Sequence, residues 1–127
     1  MTYSFHDDVL DGSPNIIKNN CTKITLCSTA PTTYAEANAT YALADVTVDS
    51  TDFTNAAGDV SGRKLTLAAQ NTIPVDSTGT STHIAFLDVA NSKLLGVGEH
   101  TSQALTSGND VNIGSYDLYE QRDPAAA

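Results

Sequence analysis

The chain has no tryptophan, one methionine, two cysteines, and six basic residues against fifteen acidic ones. Two cysteines cannot staple a disulfide-dense fold. Without a matched His or Cys cluster they do not make a zinc site either. Cys21 and Cys27 would stand about 20 Å apart if both lie on one strand. A disulfide needs Cα atoms about 4.4–6.8 Å apart. Lys23-Ile24-Thr25-Leu26 between them offers no break, so two free thiols are expected, with an intermolecular bridge as the alternative.

The formal net charge of −9 repels phosphate backbones and anionic lipid, which argues against nucleic-acid and membrane partners. No run approaches the ~20 apolar residues that cross a bilayer. Met1-Thr2-Tyr3-Ser4-Phe5-His6-Asp7-Asp8 has neither the basic start nor the apolar run of a secretory signal. The protein is therefore expected to be made in the cytoplasm. On that expectation, the glycosylation sequons Asn20-Cys21-Thr22 and Asn38-Ala39-Thr40 are chance matches.

Catalytic and cofactor motifs are missing too. There is no Gly-x-Ser-x-Gly elbow. His6, His83 and His100 are scattered, and His83 reads as a strand residue rather than a catalyst. Asp45, Asp49 and Asp52 carry the hard oxygens that calcium prefers, but their spacing does not match the EF-hand loop. They read as surface and turn residues. Gly58-Asp59-Val60-Ser61-Gly62-Arg63-Lys64 lacks the spacing of a phosphate loop and is followed by a strand pattern. The expectation is a protein that is not an enzyme and holds no cofactor or metal.

What is present is a strand-forming chain. A hydrophobic fraction of 40% over 127 residues suffices for one domain with a modest core. Threonine supplies much of the polar surface, and it suits a pleated sheet better than a helix. Residues 1–20 are the exception. Phe5, Val9, Leu10, Ile16 and Ile17 recur at roughly helical spacing, and Gly12-Ser13-Pro14 should break that helix into two short turns.

Strands are expected at Thr22–Ser28, with Ile24 and Leu26 on one face, at Asp45–Asp49, and at Val60–Ala69, with Leu65 and Leu67 alternating. Residues 31–43 read as a loop with a single helical turn, anchored by Tyr34 and Tyr41. Phe53 is an isolated anchor before a turn at Asn55-Ala56-Ala57-Gly58-Asp59. Pro74 demotes Ile73–Val75 to an edge piece. The densest apolar run, Thr82–Gly98, reads as a hairpin through the core. Its first arm is apolar on both faces, its turn lies at Asn91-Ser92, and Gly96 and Gly98 mark a bulge or a close backbone approach. Ser102–Thr106 and Val111–Tyr119 follow, the latter with a parity switch at Gly114-Ser115 that a bulge would correct.

The expectation is an all-β fold, a β-sandwich or small barrel of about seven or eight short strands behind a short, broken N-terminal helical segment. Residues 1–20 form a contact arm, residues 21–120 the β domain and residues 121–127 a frayed tail.

Three phrases carry a resemblance: Lys23-Ile24-Thr25-Leu26-Cys27-Ser28-Thr29-Ala30-Pro31-Thr32-Thr33-Tyr34-Ala35-Glu36-Ala37, Asp59-Val60-Ser61-Gly62-Arg63-Lys64-Leu65-Thr66-Leu67-Ala68, and Gly79-Thr80-Ser81-Thr82-His83-Ile84-Ala85-Phe86-Leu87-Asp88. With Leu105–Ile113 they resemble small structural proteins of tailed bacteriophages and prophages. The resemblance is one of strand phrases across most of the chain. It implies a virion component assembled in the host bacterial cytoplasm, and it carries no functional residues with it. On that implication the expected role is a capsid decoration (cement) protein. It would be a homo-oligomer that binds the major capsid protein or other virion proteins. The alternative is a tail, neck or fibre-associated module, including one that binds host glycans. The expected interface residues are Phe5, Val9, Leu10, Ile16, Ile17, Tyr34 and Tyr41.

Overall fold

The computed structural model describes residues 11–58 and 62–121. Phe5, Val9, Leu10 and His6 lie outside the described residues, as do Asp59, Val60 and Ser61 and the tail from residue 122. The elements in chain order are helix α1 (Gly12–Asn20), β1 (Lys23–Cys27), a π-helical turn (Glu36–Thr40), β2 (Ala42–Thr47), a 3-10 turn (Ser50–Asp52), β3 (Phe53–Ala57), β4 (Arg63–Leu67), β5 (Gln70–Pro74), β6 (Gly79–Asp88), β7 (Lys93–Leu105), β8 (Asp110–Ile113) and β9 (Tyr116–Gln121).

The strands make three antiparallel sheets, ordered β2-β1-β6-β7, β3-β4-β9 and β5-β8. This is a small all-β sandwich. A bridge from Ala44 to Val75 ties β2 to the end of β5.

Strand β6 is the centre. It pairs with β1 on one side and β7 on the other. Ile84 and Phe86 face inward, into a core shared with Ile24 and Leu26 of β1, Phe53 of β3, Leu65 and Leu67 of β4, and Ile73 and Val111 of the two-stranded sheet. Ala85 and Leu87 face the other way, onto Cys27, Ala37, Tyr34, Tyr41 and Leu94. A strand covered on both faces needs the near-continuous apolar run that Ile84–Leu87 supplies.

The second layer is fixed by the loop between β1 and β2. Thr25 Oγ1 donates to the Ala37 carbonyl at 2.8 Å, and Lys23 Nζ donates to Asn38 Oδ1 at 2.9 Å. These bonds hold the π-helical turn over the outer face of β1. The expected single helical turn with Tyr34 and Tyr41 as anchors is what forms.

Several expectations need correction. Gly12-Ser13-Pro14 opens helix α1, and the part of the expected segment before Asp11 lies outside the described residues. Pro14 sits in the first turn, where the backbone N–H it lacks would have no intrahelical partner. The helix is integral to the fold: Ile17 is in the core, and the Asp11 carboxylate meets Arg63 Nε at 3.1 Å. The described part of the expected arm, residues 11–20, thus packs on the β domain.

Asn55-Ala56-Ala57 is the second half of β3, paired with Leu65, Lys64 and Arg63. Gly114-Ser115 is not a bulge. There the chain leaves the β5-β8 sheet and joins β4 in another sheet. The β6–β7 hairpin forms as expected. Asp88 accepts from the backbone N–H and side-chain amide of Asn91, and Ser92 takes φ of 53°.

Candidate functional site

Strand β7 pairs with β6 through glycines where the core would demand side chains. Gly96 lies opposite Phe86, and Gly98 lies opposite Ile84. Residues opposite one another in an antiparallel pair share a face, so β7 presents bare backbone beside two large inward side chains. A Cβ on Gly98 would stand 3.3 Å from Ile84 Cγ2, while one on Gly96 would meet only Phe86, at 3.8 Å. The register slips between Phe86 and Leu87, which leaves Leu95 as the extra residue of a bulge.

The gap opens into a cleft of about 660 Å³. Its floor is Leu26, Ile84 and Phe86, Ile17 of α1 contributes at one side, and its walls come from β7, β8 and β9. Both β7 and β9 are terminal strands of their sheets among the described residues. Val97 is 40% exposed and Tyr116 36% exposed, and both line the cleft. Packing against the cleft wall pushes the Tyr116 phenol up to about 12.

One polar pair interrupts the apolar wall. Ser81 Oγ lies 2.9 Å from His100 Nε2, and His100 Nδ1 lies 2.8 Å from the Thr101 carbonyl. A carbonyl only accepts, so in the neutral ring Nδ1 carries the proton and Nε2 accepts from the serine hydroxyl. Nucleophilic serines use the same direction. Here Ser81 is 1% exposed, and the pair serves to satisfy two polar groups within an apolar surface. Sequence reading missed it because residues 81 and 100 meet only through the β6–β7 register. The two glycines were visible as a period-two pattern, and such a pattern strips one face of a strand.

Of the expected interface residues, the four that the structure describes do not share one surface. Ile16 points to solvent, 56% exposed, while Ile17 is buried and lines the cleft. Tyr34 and Tyr41 pack on the opposite face of the four-stranded sheet. Tyr41 donates to Glu36, which holds the phenol above its ordinary value, and Thr32 holds the Glu36 carboxyl below its own.

The three aspartates weighed for calcium are separately engaged. Asp49 and Asp52 cap the 3-10 turn reciprocally. Asp45 is pushed up chiefly by burial and also by Asp76 beside it. Among the described residues no group of three or more His, Cys, Asp or Glu side chains could hold a metal ion. No described helix is long and apolar enough to cross a membrane. No family model, curated protein or solved structure matches the chain.

Proposed function

We propose that this chain is a bacteriophage virion structural protein, a capsid decoration protein that binds the outside of the head shell and stabilises it. The observation that carries this reading is the outer edge of β7, which no described strand pairs. It runs for thirteen residues, Lys93–Leu105, and Lys93 and Glu99 are its only residues of fixed charge. An edge of that length with few charges is a template on which a partner adds a strand. Many weak copies of such a contact on a repeating shell sum to firm attachment through avidity. The strand phrases that resemble phage structural proteins support a phage head shell as the partner. The net charge of −9 disfavours contact with a packaged genome.

Co-sedimentation with purified heads that lack the protein tests the reading. The expected result is saturable binding to heads, weakened at least tenfold by Val97→Lys without loss of thermal stability. Binding to isolated tails and not to heads would replace this reading with the tail-associated one.

A further inference from the structure

Lys23 and Asn38 meet on the outer face of the four-stranded sheet. Lys23 Nζ lies 2.9 Å from Asn38 Oδ1, a half-buried contact between residues 15 apart in the chain. The backbone fixes both partners. Lys23 pairs with Thr47 on one side and Leu87 on the other. Leu87 is fully buried, and residues opposite one another share a face, so the lysine stem rests on apolar surface. Asn38 follows Ala37, which is fully buried and whose carbonyl accepts the Thr25 hydroxyl at 2.8 Å.

An amine held against a primary amide is a reactant pair. A neutral amine attacks the amide carbon, and the amide nitrogen leaves as ammonia. Free in water the reaction is very slow, and fixed proximity is what accelerates it. Asn38 Cγ is one covalent bond beyond the oxygen that Lys23 already touches, so a rotation at the end of the lysine side chain carries Nζ to it.

Such a step also needs a group that carries protons. Asp45 pairs with Thr25 and so stands diagonally across the β1–β2 ladder from Lys23, within reach of a long side chain. Burial is the chief cause that raises the Asp45 carboxyl; Lys23 opposes it, and Asp76 adds to the rise. A raised carboxyl takes and holds a proton more readily than an ordinary aspartate.

We propose that Lys23 and Asn38 join through an isopeptide bond that the folded chain forms by itself, with Asp45 as the proton carrier. The Nζ–Cγ bond forms and the Cγ–Nδ2 bond breaks. Lys23 enters as an ammonium and gives up two protons through Asp45, and both leave with the departing nitrogen as ammonium. Nothing is oxidised or reduced, and no further reactant is consumed. The bond clamps the π-helical turn to β1, a tie that the two free cysteines do not supply. It forms within one chain, so the inference stands apart from the shell-binding reading.

The test is tryptic peptide mass spectrometry on the full chain, held folded at neutral pH for several days and then denatured. Trypsin does not cut after a lysine whose amine is acylated. Residues 19–63 should therefore appear as one peptide, lighter than its sequence by one ammonia. A further cut after Glu36 should leave its two halves joined. Lys23→Arg and Asn38→Ala should each show no ammonia loss. Folded Asp45→Asn should form the bond more slowly by on the order of a hundredfold. Complete cleavage after Lys23 in the unaltered chain overturns the proposal. So does an ammonia loss that persists in Lys23→Arg, because ring closure at an asparagine would then be its source. An unchanged rate in Asp45→Asn overturns the role given to Asp45.

Discussion

The two thiols show how burial governs a single residue. Cys21 is 1% exposed and Cys27 is fully buried. Burial pushes the Cys21 thiol from 9.0 up to about 11, and Cys27 is raised for the same reason. The thiolate is the reactive form, so neither residue should take up iodoacetamide in the folded protein at pH 8. Both should react once it is unfolded, as mass shifts will show. The same burial leaves no path to the intermolecular bridge weighed from the sequence.

The sign for stability follows from proton linkage. Above pH 9 the unfolded chain releases thiol protons that the folded chain retains, so stability should fall as pH rises from about 9 to about 11. The acid limb runs the other way. Thr51 holds Asp49 low, and Lys64 and Thr66 hold Asp117 low. Their contribution is present above about pH 4, the ordinary carboxylate range, and is lost as pH drops further. Urea midpoints measured from pH 2.5 to 11 check both limbs. At the β7–β8 turn, Gly108 takes φ of 90°. Gly108→Ala should cost about 1 kcal/mol through backbone strain, because among the described residues no atom lies within 4 Å of the added Cβ.

Among the elements, β6 was the most legible because its chemistry is redundant. Ile84 to Leu87 is apolar at every position, and only a strand covered on both sides accommodates that. Truncating Phe86, 3% exposed in the core, to alanine should cost about 3–5 kcal/mol by chemical denaturation, a large share of the stability of a small domain. The alternation of Leu65 and Leu67 likewise located β4, and both are fully buried.

Elements defined by tertiary context were not legible. Asn55-Ala56-Ala57-Gly58 has turn composition, yet β4 supplies a partner for its first three residues, and Asn55 Nδ2 donates to Asn15 Oδ1 at 2.7 Å from α1. The parity switch at Gly114-Ser115 was seen correctly but has two physical solutions, a bulge within one sheet or a crossing to another. Only the position of β4 selects the second. The cleft was half visible. Gly96 and Gly98 announced a missing face, but that β9 and α1 stand across from it depends on the packing of three sheets.

At the scale of the whole molecule, the sandwich offers two different surfaces. One is a closed outer layer, where the π-helical turn, Tyr34 and Tyr41 seal the four-stranded sheet. The other is the side where, among the described residues, β7 and β9 end their sheets around an apolar cleft. Shell binding through the β7 edge predicts a protein present in stoichiometric proportion to the shell lattice. Quantitative mass spectrometry of purified virions, scaled to the major capsid protein, measures that proportion directly. The proposal predicts on the order of hundreds of copies per particle, removed by loss of the head shell. A copy number of about a dozen or fewer, remaining with isolated tails, would contradict it.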